Sequence, residues 1–216
     1  MDGTLVDTEP YWMAAETALV QSFGGSWTHE DALQLVGSGL IDSAVILQNA
    51  GVAMEAEAIV SHLTDVVQES LRTQGVPFRP GARELLRDLR DAGIPTGLVT
   101  MSLRRMALNV VDLIEFDAFD IVVAGDDVDN PKPHPEPYLQ AAALLDVDIA
   151  EVIVIEDSPT GVRAGLASGA LTLAVPHIVP LDHLGAHELW DTMDGRGAVD
   201  LTDLYDSRAT ATGAAR

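Results

Sequence analysis

Val152-Ile153-Val154-Ile155-Glu156-Asp157-Ser158-Pro159-Thr160-Gly161 reads as a buried strand that ends on two carboxylates and turns at once into a helix. Its first four residues are apolar and β-branched, the pattern of a strand covered on both faces. Pro159 suits the first turn of a helix over 160–168, and Asp157 or Ser158 can cap it. Runs of the same apolar kind occur at Thr96–Thr100, Ile121–Ala124 and Leu171–Val175. Helical patterns at about 103–115 and 136–146 separate them, and Ala82–Arg90 forms a helix after Pro80-Gly81. Strand and helix alternate from residue 81 to 175, which predicts an α/β fold built on a doubly wound parallel sheet.

The region before this core is different. Residues 11–75 read as four helices without a strand, broken at Phe23–Ser26, Gly37–Gly39 and Asn49–Gly51. That pattern predicts a helical domain inserted into the core. The expected division is a core of 1–10 plus 76–205 and a helical insert of 11–75, joined by linkers near Asp7–Pro10 and Gly75–Pro80. Residues 206–216, small and polar, are expected to form a disordered tail.

Composition narrows the class. Of the 216 residues 47% are hydrophobic and only 5% aromatic, so aliphatic packing dominates the core. The absence of cysteine excludes disulfides and thiolate metal sites and fits a reducing compartment. No uninterrupted apolar run approaches membrane-spanning length, and a cytoplasmic, monomeric protein is expected. Net charge is −22, from 34 acidic and 12 basic residues. Such a surface repels nucleic-acid phosphates, so no nucleic-acid partner is expected. A small phosphorylated substrate would feel the same repulsion, and its site must supply positive charge locally. Eleven of the basic residues are arginine, and Lys132 is the one lysine.

Three polar features fall at the carboxyl ends of the predicted strands, where doubly wound sheets bind ligands. Thr100 ends the first readable strand, Lys132 follows the second within Pro131-Lys132-Pro133-His134-Pro135-Glu136-Pro137, and Glu156-Asp157 ends the third. A hydroxyl, an ammonium and an acidic pair on one rim can hold a phosphoryl group and a magnesium ion. Singly, each has an ordinary structural reading: a polar strand exit, a solvated lysine, a helix cap. His177, His183 and His187 lack a metal-ligand pattern and read as packing or surface residues, and the acidic run Asp126–Asp129 as a solvated loop. Trp12, Trp27 and the methionines near them read as packing of the helical insert.

Together with the opening Met1-Asp2-Gly3-Thr4-Leu5-Val6-Asp7-Thr8-Glu9-Pro10, the order of these features resembles the four motifs of the haloacid dehalogenase superfamily. The words Lys132-Pro133-His134-Pro135-Glu136-Pro137-Tyr138 and Glu156-Asp157-Ser158-Pro159-Thr160-Gly161-Val162-Arg163-Ala164-Gly165 resemble the subgroup with a helical cap, which includes sugar-phosphate and phosphoglycolate phosphatases and β-phosphoglucomutase. The resemblance implies roles. Asp2 would be the general acid/base and place its backbone carbonyl on Mg²⁺. Thr100 and the Met101 N–H would bind the phosphoryl group, and Lys132 would bridge it to the nucleophile. Asp157 would bind the ion directly, with Glu156 as a second or water-mediated ligand, and the cap would close over the site.

The opening departs from the family pattern. The nucleophilic aspartate would stand two residues before Asp2, and the family's first core strand before that. Neither is in this sequence, so the sheet is expected to lack a strand and to carry a hole beside it. The reading adopted is a start placed at an internal methionine, with roughly ten residues upstream; the alternative is an inactive truncated homologue. Leu40 stands where a mutase would place an arginine for a second phosphate, and the first basic residue of the chain is Arg72. That favours a Mg-dependent phosphatase acting on a small phosphomonoester over a mutase. A receiver module would be shorter and uncapped, and a dinucleotide-binding module would need a Gly-x-Gly-x-x-Gly after a strand, which is absent.

Overall fold

The computed structural model describes residues 1–36 and 38–213. Five strands lie in order along the chain: β1 (Gly97–Val99), β2 (Ile121–Val123), β3 (Ile153–Glu156), β4 (Leu171–Ala174) and β5 (Glu188–Leu189). All pairings are parallel, yet the strands form two separate sheets, β1-β2 and β3-β4-β5. Side chains alternate between two covered faces. Leu98, Ile153 and Ile155 enter the main core, whereas Val99 and Val154 pack on the other side with Tyr138, Ala164 and Ala170.

Helices supply both coverings. On one side α7 (Glu136–Leu144) packs on β1 and β2, and α8 (Pro159–Ser168) packs on β3 and β4. In the main core α5 (Ala82–Asp91), α6 (Arg104–Asp112) and α9 (Ala198–Gly213) contribute Leu85, Met106 and Leu201. The strong apolar stripe of α5, at Ala82, Leu85, Leu86 and Leu89, is why it lies against the core. The helix α8 begins as its sequence dictates: Ser158 caps it by accepting the Gly161 N–H (3.1 Å), and Pro159 takes the first turn.

Where a sheet lacking its first strand is expected to be open, a cavity of about 600 Å³ connects β1 with β3. Met1, Leu85, Leu98, Tyr138, Val154 and Leu201 are among the residues that line it. The helical insert comprises α1 (Glu9–Ser22), α2 (His29–Leu33), α3 (Leu40–Asn49) and α4 (Ala56–Gln74), packed α1 on α2 and α4, and α3 on α4. Its two connections to the core pair with each other: Val6 bridges Phe78, Asp7 N–H donates to the Pro77 carbonyl (2.7 Å), and Arg79 N–H to the Leu5 carbonyl (2.9 Å).

One expectation needs correction, and one strand went unread. The stretch read as a disordered tail continues α9 as far as Gly213, because its alanines are strong helix formers even though the segment is polar. Residues 214–216 lie outside the described residues, as does Gly37 within one predicted break. The strand β5 has no counterpart in the sequence reading, since two residues, one of them charged, carry no periodic signal.

Candidate active site

The first eight residues fold into a tight loop because Met1 offers its carbonyl to both the Leu5 and Val6 N–H groups, while Gly3 N–H donates to Val6. Gly3 has φ of +74°, and a Cβ there would lie 2.0 Å from Asp157 Oδ2. Only glycine lets the loop lie this close to the end of β3. Thr4 then donates its hydroxyl to Asp157 Oδ1 (2.5 Å). Asp2 is held from three directions: by the Thr8 hydroxyl (2.5 Å), the Ser102 hydroxyl (2.7 Å) and the Trp12 indole N–H (3.4 Å). The opening loop, the β1–α6 turn and the first cap helix thus meet on one carboxylate.

Thr100 is buried at the end of β1, and its hydroxyl oxygen accepts the Ser102 N–H (3.1 Å). Met101 follows it, and its sulfur accepts the Lys132 N–H (3.4 Å), which ties the β1 exit to the proline-rich loop. Lys132 turns inward. Its ammonium donates to Glu156 Oε1 (2.6 Å) and to the Val99 carbonyl (3.1 Å) and lies 4.7 Å from the Tyr138 ring centre. Glu156 is engaged on both oxygens: Tyr138 also donates to Oε1, while the Asp157 N–H and the Ser158 N–H and hydroxyl donate to Oε2. Glu156 therefore anchors the lysine. The side chain expected as a second metal ligand is committed elsewhere.

Charge makes the site unusual. Burial pushes the Asp157 carboxyl up to about 6, reinforced by Glu156 beside it and opposed by the Thr4 hydrogen bond. Burial acts on Glu156 in the same sense, but Lys132 and Tyr138 outweigh it and hold that carboxyl well below the usual range. Glu9, on the cap helix, is pushed up to about 7 by burial and then by Asp2, Asp157 and Asp7. Acidic groups thus outnumber the cations set among them, Lys132 and Arg79 included, a setting that favours a further cation.

Among the described residues no three acidic or histidine side chains gather as a metal cage. The donors present still fit an ion that takes one or two carboxylates and completes its shell with water and phosphate oxygens, as magnesium does. Asp157 and the Asp2 backbone carbonyl would be the donors for it. The three histidines do not converge: His177 pairs with Asp7 (2.9 Å), His187 accepts the Thr172 N–H (2.8 Å), and His183 is exposed. The acidic run serves the backbone, with Asp126 accepting the Arg104 N–H and Asp127 the Ala124 N–H.

Several contributors escaped the sequence reading. Arg79 is buried under the opening loop and donates to the Gly3 and Pro176 carbonyls; burial lowers its pKa, opposed in part by Asp157 and Asp7. Its place beside Pro80 in a linker carried no such signal. Ser102 and Trp12 bind Asp2, although Trp12 reads in sequence as packing. Glu9 stands in the linker Asp7–Pro10, where nothing in the sequence marks it as facing the site.

A family model described as haloacid dehalogenase-like hydrolase matches residues 1–175. The bifunctional riboflavin kinase/FMN phosphatase of Arabidopsis thaliana is 30% identical over 190 residues, 85% of this chain; the chain spans 49% of that relative's length. Hexitol phosphatase B of Escherichia coli K12 is 30% identical over 184 residues, covering 82% of this chain and 81% of that protein. In fold, CbbY from Rhodobacter sphaeroides, solved with xylulose-1,5-bisphosphate, superposes with a TM-score of 0.84 over 93% of this chain and 96% of that one, at 23% identity.

Proposed function

The chain belongs to the haloacid dehalogenase-like hydrolases, and we propose that it hydrolyses a small phosphomonoester, such as a sugar phosphate, in a magnesium-dependent reaction. The observation that carries this reading is the meeting of Asp2, Thr100, Lys132 and Asp157 on one rim beneath the cap helix α1. Lys132 offsets the charge of the phosphoryl oxygens, and Thr100 with the Met101 N–H positions them. Asp2, fixed by Thr8 and Ser102, gives a proton to the departing oxygen of the ester. Asp157 and the Asp2 carbonyl would hold the magnesium ion, which supplies positive charge to the phosphoryl oxygens. Trp12 brings α1 onto Asp2 and limits the access of water.

Transfer through an aspartyl-phosphate needs an acceptor carboxylate two residues before Asp2. A strand leading into Asp2 and carrying that carboxylate would occupy the cavity between β1 and β3. Hydrolysis rather than phosphomutase chemistry follows from the cap. Its first helix turns Glu9 toward the site, and no Lys or Arg precedes Arg72, so a second phosphate would meet repulsion. The E. coli relative named hexitol phosphatase B supports the substrate class. The test is release of inorganic phosphate from a panel of hexose, hexitol, pentose and triose phosphates with magnesium. Turnover of one or more esters is expected. No turnover of any of them by the native polypeptide would contradict the reading.

A further inference from the structure

Adjacent arginines open helix α6 and reach in opposite directions. Arg104 ties the helix to the core: its backbone N–H donates to Asp126 (2.7 Å), and its guanidinium donates to Asp127 Oδ2 (2.8 Å) and the Val122 carbonyl (3.1 Å). Arg105 leaves the core and grips helix α4 of the insert. Its guanidinium donates to Asp65 Oδ1, to Gln68 Oε1 (2.7 Å), and to the Ser61 carbonyl (2.9 Å) and hydroxyl oxygen (3.2 Å). Gln68 completes the exchange by donating its side-chain amide to the Arg105 carbonyl (2.9 Å).

Ser61, Asp65 and Gln68 share one face of α4, at positions i, i+4 and i+7. They lie about 10–20 Å along the helix axis from the linker that begins at Gly75. A contact so far from the linker resists a swing of the insert with a leverage that the paired linker segments at Val6 and Phe78 lack. The planar guanidinium fork binds several acceptors at once, which a lysine ammonium would do less well. Yet the Arg105 and Asp65 side chains are 38% and 64% exposed, so water can take the place of either partner without unfolding the insert or the core.

The contact also bears on the rim. The turn that leads into α6 carries Ser102, which donates to Asp2 (2.7 Å). On the insert side α1 packs on α4, and its Trp12 donates to the same carboxylate (3.4 Å). Arg105 thus joins the two elements whose side chains meet on Asp2. We propose that Arg105 is a positioning residue, a releasable clasp between α6 and α4 that sets how the insert sits over the rim. Its consequence for turnover rests on the phosphatase reading above; the clasp itself does not.

The chain holds no cysteine, so Ala58→Cys on α4 and Ala143→Cys on α7, both exposed, accept spin labels in the native polypeptide. Double electron–electron resonance then reads the distance from insert to core, and kcat/KM for 4-nitrophenyl phosphate is measured alongside. Arg105→Leu is expected to add a longer, broader population of distances. It should lower kcat/KM roughly three- to tenfold, chiefly through KM, because apparent affinity falls with the fraction of closed protein. Asp65→Ala removes the contact from the insert side and should act in the same direction, and the double variant should do no more than Arg105→Leu alone. Unchanged distances in Arg105→Leu, or effects of the two substitutions that simply add, would overturn the clasp. Longer distances with kcat/KM unchanged would overturn the positioning role. Longer distances in Arg105→Leu, with no turnover by the native polypeptide, would support the clasp while contradicting the phosphatase reading.

Discussion

Replacing Lys132 by methionine removes the ammonium that Glu156 faces at 2.6 Å, at a place where the two side chains are 7% and 6% exposed. The carboxylate then stays buried with Tyr138, Ser158 and two backbone N–H groups as its partners. Breaking a buried ion pair from one side costs about 3–5 kcal/mol, because the remaining charge is uncompensated. For a chain of this size each kcal/mol moves Tm by about 2–4 °C, so a fall of roughly 6–20 °C is expected at pH 7.5. With the lysine gone, burial raises the Glu156 carboxyl against only its remaining hydrogen bonds from Tyr138, Ser158 and the Asp157 N–H. The deficit should therefore shrink toward pH 5, as the carboxyl takes up a proton. Adding Glu156→Gln removes the stranded charge and should recover most of the lost Tm. Thermal unfolding of the three proteins, followed by circular dichroism across this pH range, makes the comparison. A single variant within 2 °C of the parent, or a double variant no better than the single, would refute the reasoning.

Asp157→Asn tests the raised carboxyl directly. Its folded value of about 6 exceeds the ordinary 3.8, so the parent loses stability as pH rises between them, by about 3 kcal/mol in all. In chelator, the variant should gain on the parent across that window and hold its advantage above it; parallel pH–stability curves would exclude the assigned burial. Magnesium at millimolar concentration should raise Tm of the parent but not of Asp157→Asn, and equal shifts would remove the ion from Asp157. Gly161→Ala would set a Cβ 1.9 Å from Glu156 Cδ, forcing that side chain off Lys132 or moving α8. A loss of about 1–3 kcal/mol in urea unfolding is expected, and stability equal to the parent's would show the contact to be slack.

Most of the core is legible in the sequence because strands buried on both faces must be apolar runs. Thr96–Thr100, Ile121–Ala124 and Leu171–Val175 hold β1, β2 and β4, and Val152–Ile155 holds all of β3 but its last residue, Glu156. The helical insert is legible from its breaks, although α1 starts at Glu9, ahead of the predicted boundary at residue 11, with Pro10 accommodated in its first turn. Composition misled at the carboxyl terminus, where small residues read as a tail extend α9. Within the site, Asp2, Lys132 and Asp157 could be singled out because each stands in a distinctive word, the latter two after readable strands. Arg79, Ser102 and Trp12 could not, because their roles arise only when distant segments meet: Arg79 with Gly3 and Pro176, Ser102 and Trp12 with Asp2.

The hydrolytic role assigned to the rim is tested most directly by phosphate release from a hexitol or hexose phosphate, comparing the native polypeptide, its intact mass recorded on the same sample, with Asp2→Asn. Magnesium-dependent release that falls by about 10²–10⁴ in the variant is the predicted result, the range for removal of a general acid. Release by Asp2→Asn equal to that of the native polypeptide, or no release by the native polypeptide from any ester, would contradict it.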